Sequence, residues 1–295
     1  MRQAAQTSFI VGPEPALHGE RDGSGPPIVL CHGITASRGY VVHGSRALER
    51  DGYQVLGYDA RGHGESDPAP PGQGYGYPQL IDDLERVVGE ELGEERFLLA
   101  GHSMGAHTAV GYALRHPGRI AGLVIIGPVY TGEIVPRALE YWDGLAAALE
   151  EGGVDGFVAF IGAQQGIDPS WRQTVLRFTR ARMELHRHLG ALSQALREVP
   201  RSRPFGTLAD LGALDVPVLV VASHDAADPG HPYAAARAYA EALPQARLVS
   251  EAEGESPLAW QGGKLSREIA AFAAEPAVAR TLGAAGGDRS KSLSS

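Results

Sequence analysis

Gly101-His102-Ser103-Met104-Gly105 is the segment of this sequence whose residue types and spacing speak most directly of chemistry. A serine hydroxyl becomes a useful nucleophile when a base can take its proton and the backbone presents Oγ clear of its surroundings. Glycine two positions before and after the serine permits the sharp strand-to-helix turn that achieves this. The flanks agree, with the strand-like run Arg96-Phe97-Leu98-Leu99-Ala100 before the pentad and a helical stretch from Ala106 to Leu114 after it. In another context the same pentad would be a glycine-rich turn with a helix-capping serine. A second segment, His32-Gly33-Ile34, follows the apolar run Ile28-Val29-Leu30-Cys31 and would bring a backbone N–H beside the serine. The N–H groups of Ile34 and Met104 then form an oxyanion hole at a helix start, where donors and dipole both favour developing negative charge.

These residues need a scaffold, and the apolar pattern supplies one. Short apolar runs at Pro27–Cys31, Tyr53–Tyr58, Arg96–Ala100, Ile120–Ile126, Val216–Val221 and Ala246–Val249 each end in glycine or a polar turn. Helical patterns lie between them, at Ser37–Arg50, Gln79–Leu92, Met104–His116, Tyr233–Leu243 and Ala259–Ala273. That alternation predicts a mostly parallel sheet with helices on both faces, preceded by a hairpin from Ser8 onward at the sheet edge. From Val129 to Pro204 the strands cease and only amphipathic helical segments remain, Pro136–Glu151 and Trp171–Val199, which reads as a helical cap over the strand ends. The expected organisation is a core of residues 1–128 and 205–274, a cap of 129–204 and a mobile tail of 275–295.

Composition limits what this scaffold can serve. The chain has 295 residues and 43% hydrophobic content, enough for one large α/β domain, and its 39 glycines and 20 prolines follow no repeat. A net charge of −9 argues against nucleic acid as a partner. The single cysteine, Cys31, cannot form an internal disulfide, the first residues lack the apolar core of a signal peptide, and no apolar stretch reaches membrane-spanning length. A cytoplasmic location, no membrane association, a small-molecule substrate and a homodimer as one open assembly are the corresponding expectations. With no phosphate loop, metal-ligand cluster or dinucleotide fingerprint in the sequence, no metal and no cofactor is expected.

His32-Gly33, Asp59-Ala60-Arg61-Gly62-His63-Gly64 and Gly101-His102-Ser103-Met104-Gly105, in this order and spacing, resemble the α/β-hydrolase superfamily, with a flavour of its esterases, lactonases and haloperoxidases, from about Ser8 to Ala274. The resemblance implies an α/β-hydrolase fold and a triad in the order serine, acid, histidine. The acid would follow the Val218–Val221 run, where Asp225 fits best and Asp228 is the reserve; either could instead cap the next helix. The histidine is expected on the loop after the last strand, but that loop reads Ser250-Glu251-Ala252-Glu253-Gly254-Glu255-Ser256-Pro257, and none of the eleven histidines lies beyond His231. Glu255 therefore stands in the base position.

Glutamate is a weaker base than imidazole, and a neighbouring carboxylate such as Asp225 would have to raise its pKa before it could shuttle protons near neutral pH. Three readings stay open. Glu255 serves in an altered triad; or another histidine, His231, His224, His102 or His63, comes within reach; or nucleophilic catalysis has been lost and the pocket binds a ligand or guides a non-hydrolytic reaction. The leading expectation is a hydrolase of carboxylic esters, thioesters or lactones using Ser103, Asp225 and Glu255, with Ile34 and Met104 as oxyanion donors and His32, Gly33, His102 and Trp260 around the pocket. His63 reads as a packing or hydrogen-bonding residue of its turn. In the cap, Arg172, Arg177, Arg180, Arg182, Arg187, Arg197, Arg201 and Arg203 face only Glu184 and Glu198. A solvated helix face is the commoner meaning of such a run, recognition of a carboxylated substrate the sharper one. His186 and His188, two apart, cannot share a helix face and are expected at the surface.

Overall fold

The computed structural model describes residues 7–164, 167–224 and 228–283. Each of the six apolar runs forms a strand: β3 (Pro27–Cys31), β4 (Gln54–Tyr58), β5 (Phe97–His102), β6 (Ile120–Ile126), β7 (Val218–Val221) and β8 (Ala246–Val249). Every residue of β3, β6 and β7 is buried, as continuous apolar runs require when helices cover both faces of a sheet. The leading hairpin pairs β1 (Thr7–Val11) with β2 (Leu17–Gly23) and joins the sheet antiparallel to β4. The sheet order is β1-β2-β4-β3-β5-β6-β7-β8, with β3 to β8 all parallel. Chain order and spatial order part company around β3 and β4, so the loop after β3 lies beside the end of β5. Loops at such a reversal, beyond the carboxyl ends of the strands, form the crevice where ligands bind in open α/β sheets.

Helices cover both faces. α1 (Ala47–Arg50) is short: the helix expected over residues 37–50 is cut by Gly44 and by His43, which both take positive φ. α2 (Tyr77–Leu92) buries Tyr77, Leu80, Ile81, Leu84, Val87 and Val88 at helical spacing and stops at Gly93, with φ 55°. α3 (Met104–Arg115) follows β5 directly.

Between β6 and β7 lie α4 (Pro136–Ala163), α5 (Arg172–Met183) and α6 (Leu189–Glu198). α4 turns a corner at Gly153, where φ is 58°. The expected Trp171–Val199 helix is broken between Met183 and Leu189, and the break carries His186 inward. Its Nδ1 accepts from the Gly64 N–H at 2.9 Å, and the Arg187 N–H donates to the Gly64 carbonyl at 2.9 Å. His186 is thus buried and latches the insertion to the turn after β4, contrary to its expected surface position. After β7 come α7 (Tyr233–Ala242), α8 (Gly262–Ala273) and α9 (Pro276–Gly283). α9 falls inside the stretch expected to be a mobile tail; Val278 and Leu282, four apart, bury one face of it in the core beside Phe272. Residues 284–295 lie outside the described residues. No helix among the described residues is long and apolar enough to cross a membrane.

Candidate active site

β5 ends at His102 and α3 begins at Met104, so Ser103 alone makes the corner. Its φ of 52° lies in the left-handed region, a strain of roughly 1–3 kcal/mol that persists only where the surroundings enforce it. The two glycines of the pentad show how they do so. A Cβ on Gly101 would run into the Gly105 carbonyl, and a Cβ on Gly105 would run into the Cys31 carbonyl, so any larger residue would push the corner open. The Ser103 N–H donates to the Ile126 carbonyl at 2.9 Å and ties the corner to β6.

Ile34 and Met104 line the same cavity as Ser103. Met104 is the first residue of α3, where a backbone N–H has no acceptor within the helix. The loop bearing Ile34 comes close because Gly33 has no side chain: a Cβ there would stand 3.1 Å from His102 Nδ1 and 3.5 Å from Ser103 Cβ. His32 braces that loop from behind. Its Nδ1 donates to the Gly33 carbonyl at 2.8 Å while its Nε2 accepts from the Ala60 N–H at 2.9 Å, which defines one neutral tautomer. Burial drives its pKa down to about 3 and keeps it neutral. His32, expected at the pocket, is instead buried beneath the cavity wall, whereas Gly33, His102 and Trp260 do line the cavity. His63 is buried too, with Nε2 at 2.9 Å from the Ile34 carbonyl, as its packing role anticipates.

Asp228 and His231 complete the cavity floor. His231 Nδ1 donates to Asp228 Oδ1 at 2.8 Å and lies 2.9 Å from Oδ2. The ring sits over Gly127, the residue after β6, where a Cβ would come within 3.1 Å of the imidazole. Burial works against charge on His231, but the Asp228 carboxylate outweighs it and holds the imidazole pKa above its usual range. Asp228, although desolvated, is kept below the usual carboxylate range by His231, His102 and Arg182. The His102 ring lies 4.9 Å from that of His231, and desolvation together with that neighbour presses its pKa well below normal. Of the two imidazoles, only His231 has a proton affinity suited to taking a proton near neutral pH. Among the described residues no hydrogen bond joins Ser103 to His231; contacts between a serine and its base commonly tighten only when substrate binds.

Of the two carboxylates favoured by the sequence, only Glu255 can be placed, and it is not brought to this cavity. Asp225 lies outside the described residues. Glu255 is exposed and stands apart from the Ser103 cavity, its Oε2 accepting from Lys264 Nζ at 2.7 Å. That hydrogen bond lowers its pKa, the reverse of what a base near neutral pH needs. The cause lies four residues upstream. Glu251, 5% exposed, accepts from Ser223 Oγ at 3.2 Å, from the His224 N–H and from the Leu258 N–H at 2.9 Å. It pins both ends of the loop, and the intervening 252–255 stretch faces solvent. His224 stacks on Tyr233, ring centroids 3.9 Å apart, and does not line the cavity.

The cavity measures about 660 Å³. Tyr141, Trp142 and Phe157 of α4 and Val175, Phe178, Thr179 and Arg182 of α5 make its far wall. The α5 residues recur every three or four positions, a single helix face, and that spacing was the sequence signal for which arginine of the basic run turns inward.

The fold is shared with known proteins. The chain matches the alpha/beta hydrolase fold over residues 26–262 and belongs to that family. It is 32% identical over 235 residues to RutD of Agrobacterium fabrum, a protein named as a carbamate hydrolase, a match spanning 79% of this chain and 86% of that one. Further relatives match over only about a third of their own length. Among solved structures, the enol-lactonase from Burkholderia xenovorans LB400 superposes with a TM-score of 0.72 at 22% identity, covering 90% of this chain and 99% of that one. A thermophilic esterase from Thermogutta terrifontis gives 0.72 at 21% identity, covering 95% and 99%.

Proposed function

We propose that this protein hydrolyses small carboxylic esters, thioesters or lactones through Ser103, with His231 as general base and Asp228 as the carboxylate that orients it. The observation that carries this reading is the convergence of Ser103, Ile34, Met104, Asp228 and His231 on one cavity, with His231 bonded to Asp228 through the nitrogen distal to a reacting serine. The chain order serine, acid, histidine is kept, but acid and base both come from the segment after β7.

In this reading the Ser103 hydroxyl gives its proton to His231 Nε2 as Oγ bonds to the substrate carbonyl carbon. The carbonyl oxygen takes up the electron pair and is held by the N–H groups of Ile34 and Met104. Collapse expels the alkoxide or thiolate, which leaves with the proton from His231. Water then repeats the sequence on the acyl-serine and releases the carboxylic acid and free Ser103. Asp228 keeps Nδ1 protonated, so that Nε2 is the lone-pair nitrogen, and stabilises the transient imidazolium. The helices between β6 and β7 serve as a cap that shapes the apolar side of the pocket.

The test is turnover of short p-nitrophenyl esters by wild type, Ser103→Ala and His231→Ala. Saturable wild-type turnover that both variants lose supports the reading; turnover that survives Ser103→Ala overturns it.

A further inference from the structure

Four arginines of the insertion between β6 and β7 are matched by carboxylates at the surface. Arg180 meets Asp155 at 2.7 Å, Arg197 meets Glu150 at 2.8 Å, Arg201 meets Asp143 at 2.7 Å and Arg187 meets Glu65. Arg182 is different. It lines the Ser103 cavity and, among the described residues, makes no ion pair; its Nε is buried without a hydrogen-bond partner. Desolvation works against its charge strongly enough to lower the pKa of a guanidinium.

A half-buried cation whose Nε is shut off from water without a partner is costly, and among the described residues the cavity offers no carboxylate bonded to it. Asp228 acts on Arg182 through space, but both of its oxygens lie within 2.9 Å of His231. Glu133, the other carboxylate lining the cavity, is exposed. Tyr40 and Tyr141 flank the guanidinium electrostatically, and Trp142, Phe157 and Phe178 make the surrounding wall apolar. The planar guanidinium thus stands in an apolar pocket with no carboxylate bonded to it among the described residues, and a substrate carboxylate answers it in charge, shape and donor geometry.

We propose that Arg182 seats a carboxylate of the substrate, so that the preferred substrates are acyl compounds bearing a second, ionised carboxyl group beyond an apolar spacer. This rests on the reading of Ser103 as nucleophile. It makes Arg182 a specificity-determining residue, with Ser103 and Arg182 gripping the two ends of one molecule.

The experiment has a turnover arm and a binding arm. In the first, kcat/KM is measured for p-nitrophenyl hydrogen adipate and for the uncharged p-nitrophenyl hexanoate, with wild type, Arg182→Met and Arg182→Lys. The expected ratio favours the adipate ester by about tenfold or more in wild type, the usual scale for a hydrogen bond to a charged group, and shrinks as salt is added. It collapses towards one in Arg182→Met and is partly kept in Arg182→Lys. In the second arm, calorimetry follows monomethyl adipate on Ser103→Ala, where binding is expected and is lost when Arg182→Met is added. A wild-type ratio of one or below overturns the proposal, as does a ratio or a binding signal indifferent to Arg182. Absence of any ester turnover alongside Arg182-dependent binding would instead defeat the Ser103 reading and leave the carboxylate subsite standing.

Discussion

His231 Nδ1 and Asp228 Oδ1 stand 2.8 Å apart on one short segment after β7, beneath the cavity that Ser103 opens into. The pair fixes both the tautomer and the charge balance of the site. Replacing Asp228 by Asn keeps the size of the side chain but lets the imidazole adopt the wrong tautomer, and kcat is expected to fall by about 10³-fold or more. Burial and the Arg182 charge then act on His231 without an opposing carboxylate, so its pKa drops. Because the neutral ring is the active base, the rising limb of the wild-type kcat/KM profile lies above pH 6.5, and the residual activity of Asp228→Asn rises at lower pH. An unshifted limb would show that another group titrates.

Glu255→Gln tests whether the loop after β8 takes part in the chemistry. With the carboxylate engaged by Lys264 and facing solvent, the substitution is expected to leave kcat and KM as they are. A loss approaching that of Ser103→Ala would return Glu255 to the site.

These two cases mark how far the sequence could be read. The middle of the sheet was legible because β3, β6 and β7 are short apolar runs buried on both faces, and Gly101-His102-Ser103-Met104-Gly105 was legible because its glycines answer to backbone contacts within a few residues of the serine or on the adjoining β3. The base was not. Whether the loop after β8 points Glu255 inward depends on Glu251 bonding Ser223 and Leu258, contacts across the chain that spacing does not encode. His231 was one candidate among several because it sits outside the expected loop, and His186 was misplaced because the break between α5 and α6 has no strong glycine or proline mark.

Gly105→Ala should cost more than a core methyl usually does. The added Cβ meets the Cys31 carbonyl, fixed backbone rather than a flexible side chain, so a destabilisation of about 1–3 kcal/mol is expected, read from the denaturant midpoint. Activity should fall further than stability, since the shift moves the Met104 N–H. A midpoint equal to wild type would contradict the packing.

The stability of the protein should depend steeply on pH on the acid side. His32, His107 and His186 are buried and neutral, with burial lowering each pKa to about 3. The unfolded chain takes up protons near pH 6.5 that the folded chain refuses, so their contribution is complete above pH 6.5 and is lost as pH falls towards 3. Each adds a slope of up to about 1.4 kcal/mol per pH unit within that window. His231, with its raised pKa, runs the other way and lends stability below pH 6.5 that fades as pH rises past its folded value. Denaturant titrations at successive pH values should show the fall, and it should lessen in His107→Phe; a flat profile between pH 7 and 5 would contradict the neutral, buried assignment.

The most direct measurement of the central claim is the rate at which a p-nitrophenyl alkylphosphonate modifies Ser103, followed by intact-mass and peptide mass spectrometry in wild type and His231→Gln. Single-site modification at Ser103 in wild type, slowed by about 10³-fold in His231→Gln, is the predicted result. Equal rates in the two proteins, or modification elsewhere with Ser103 untouched, would contradict a Ser103 activated by His231.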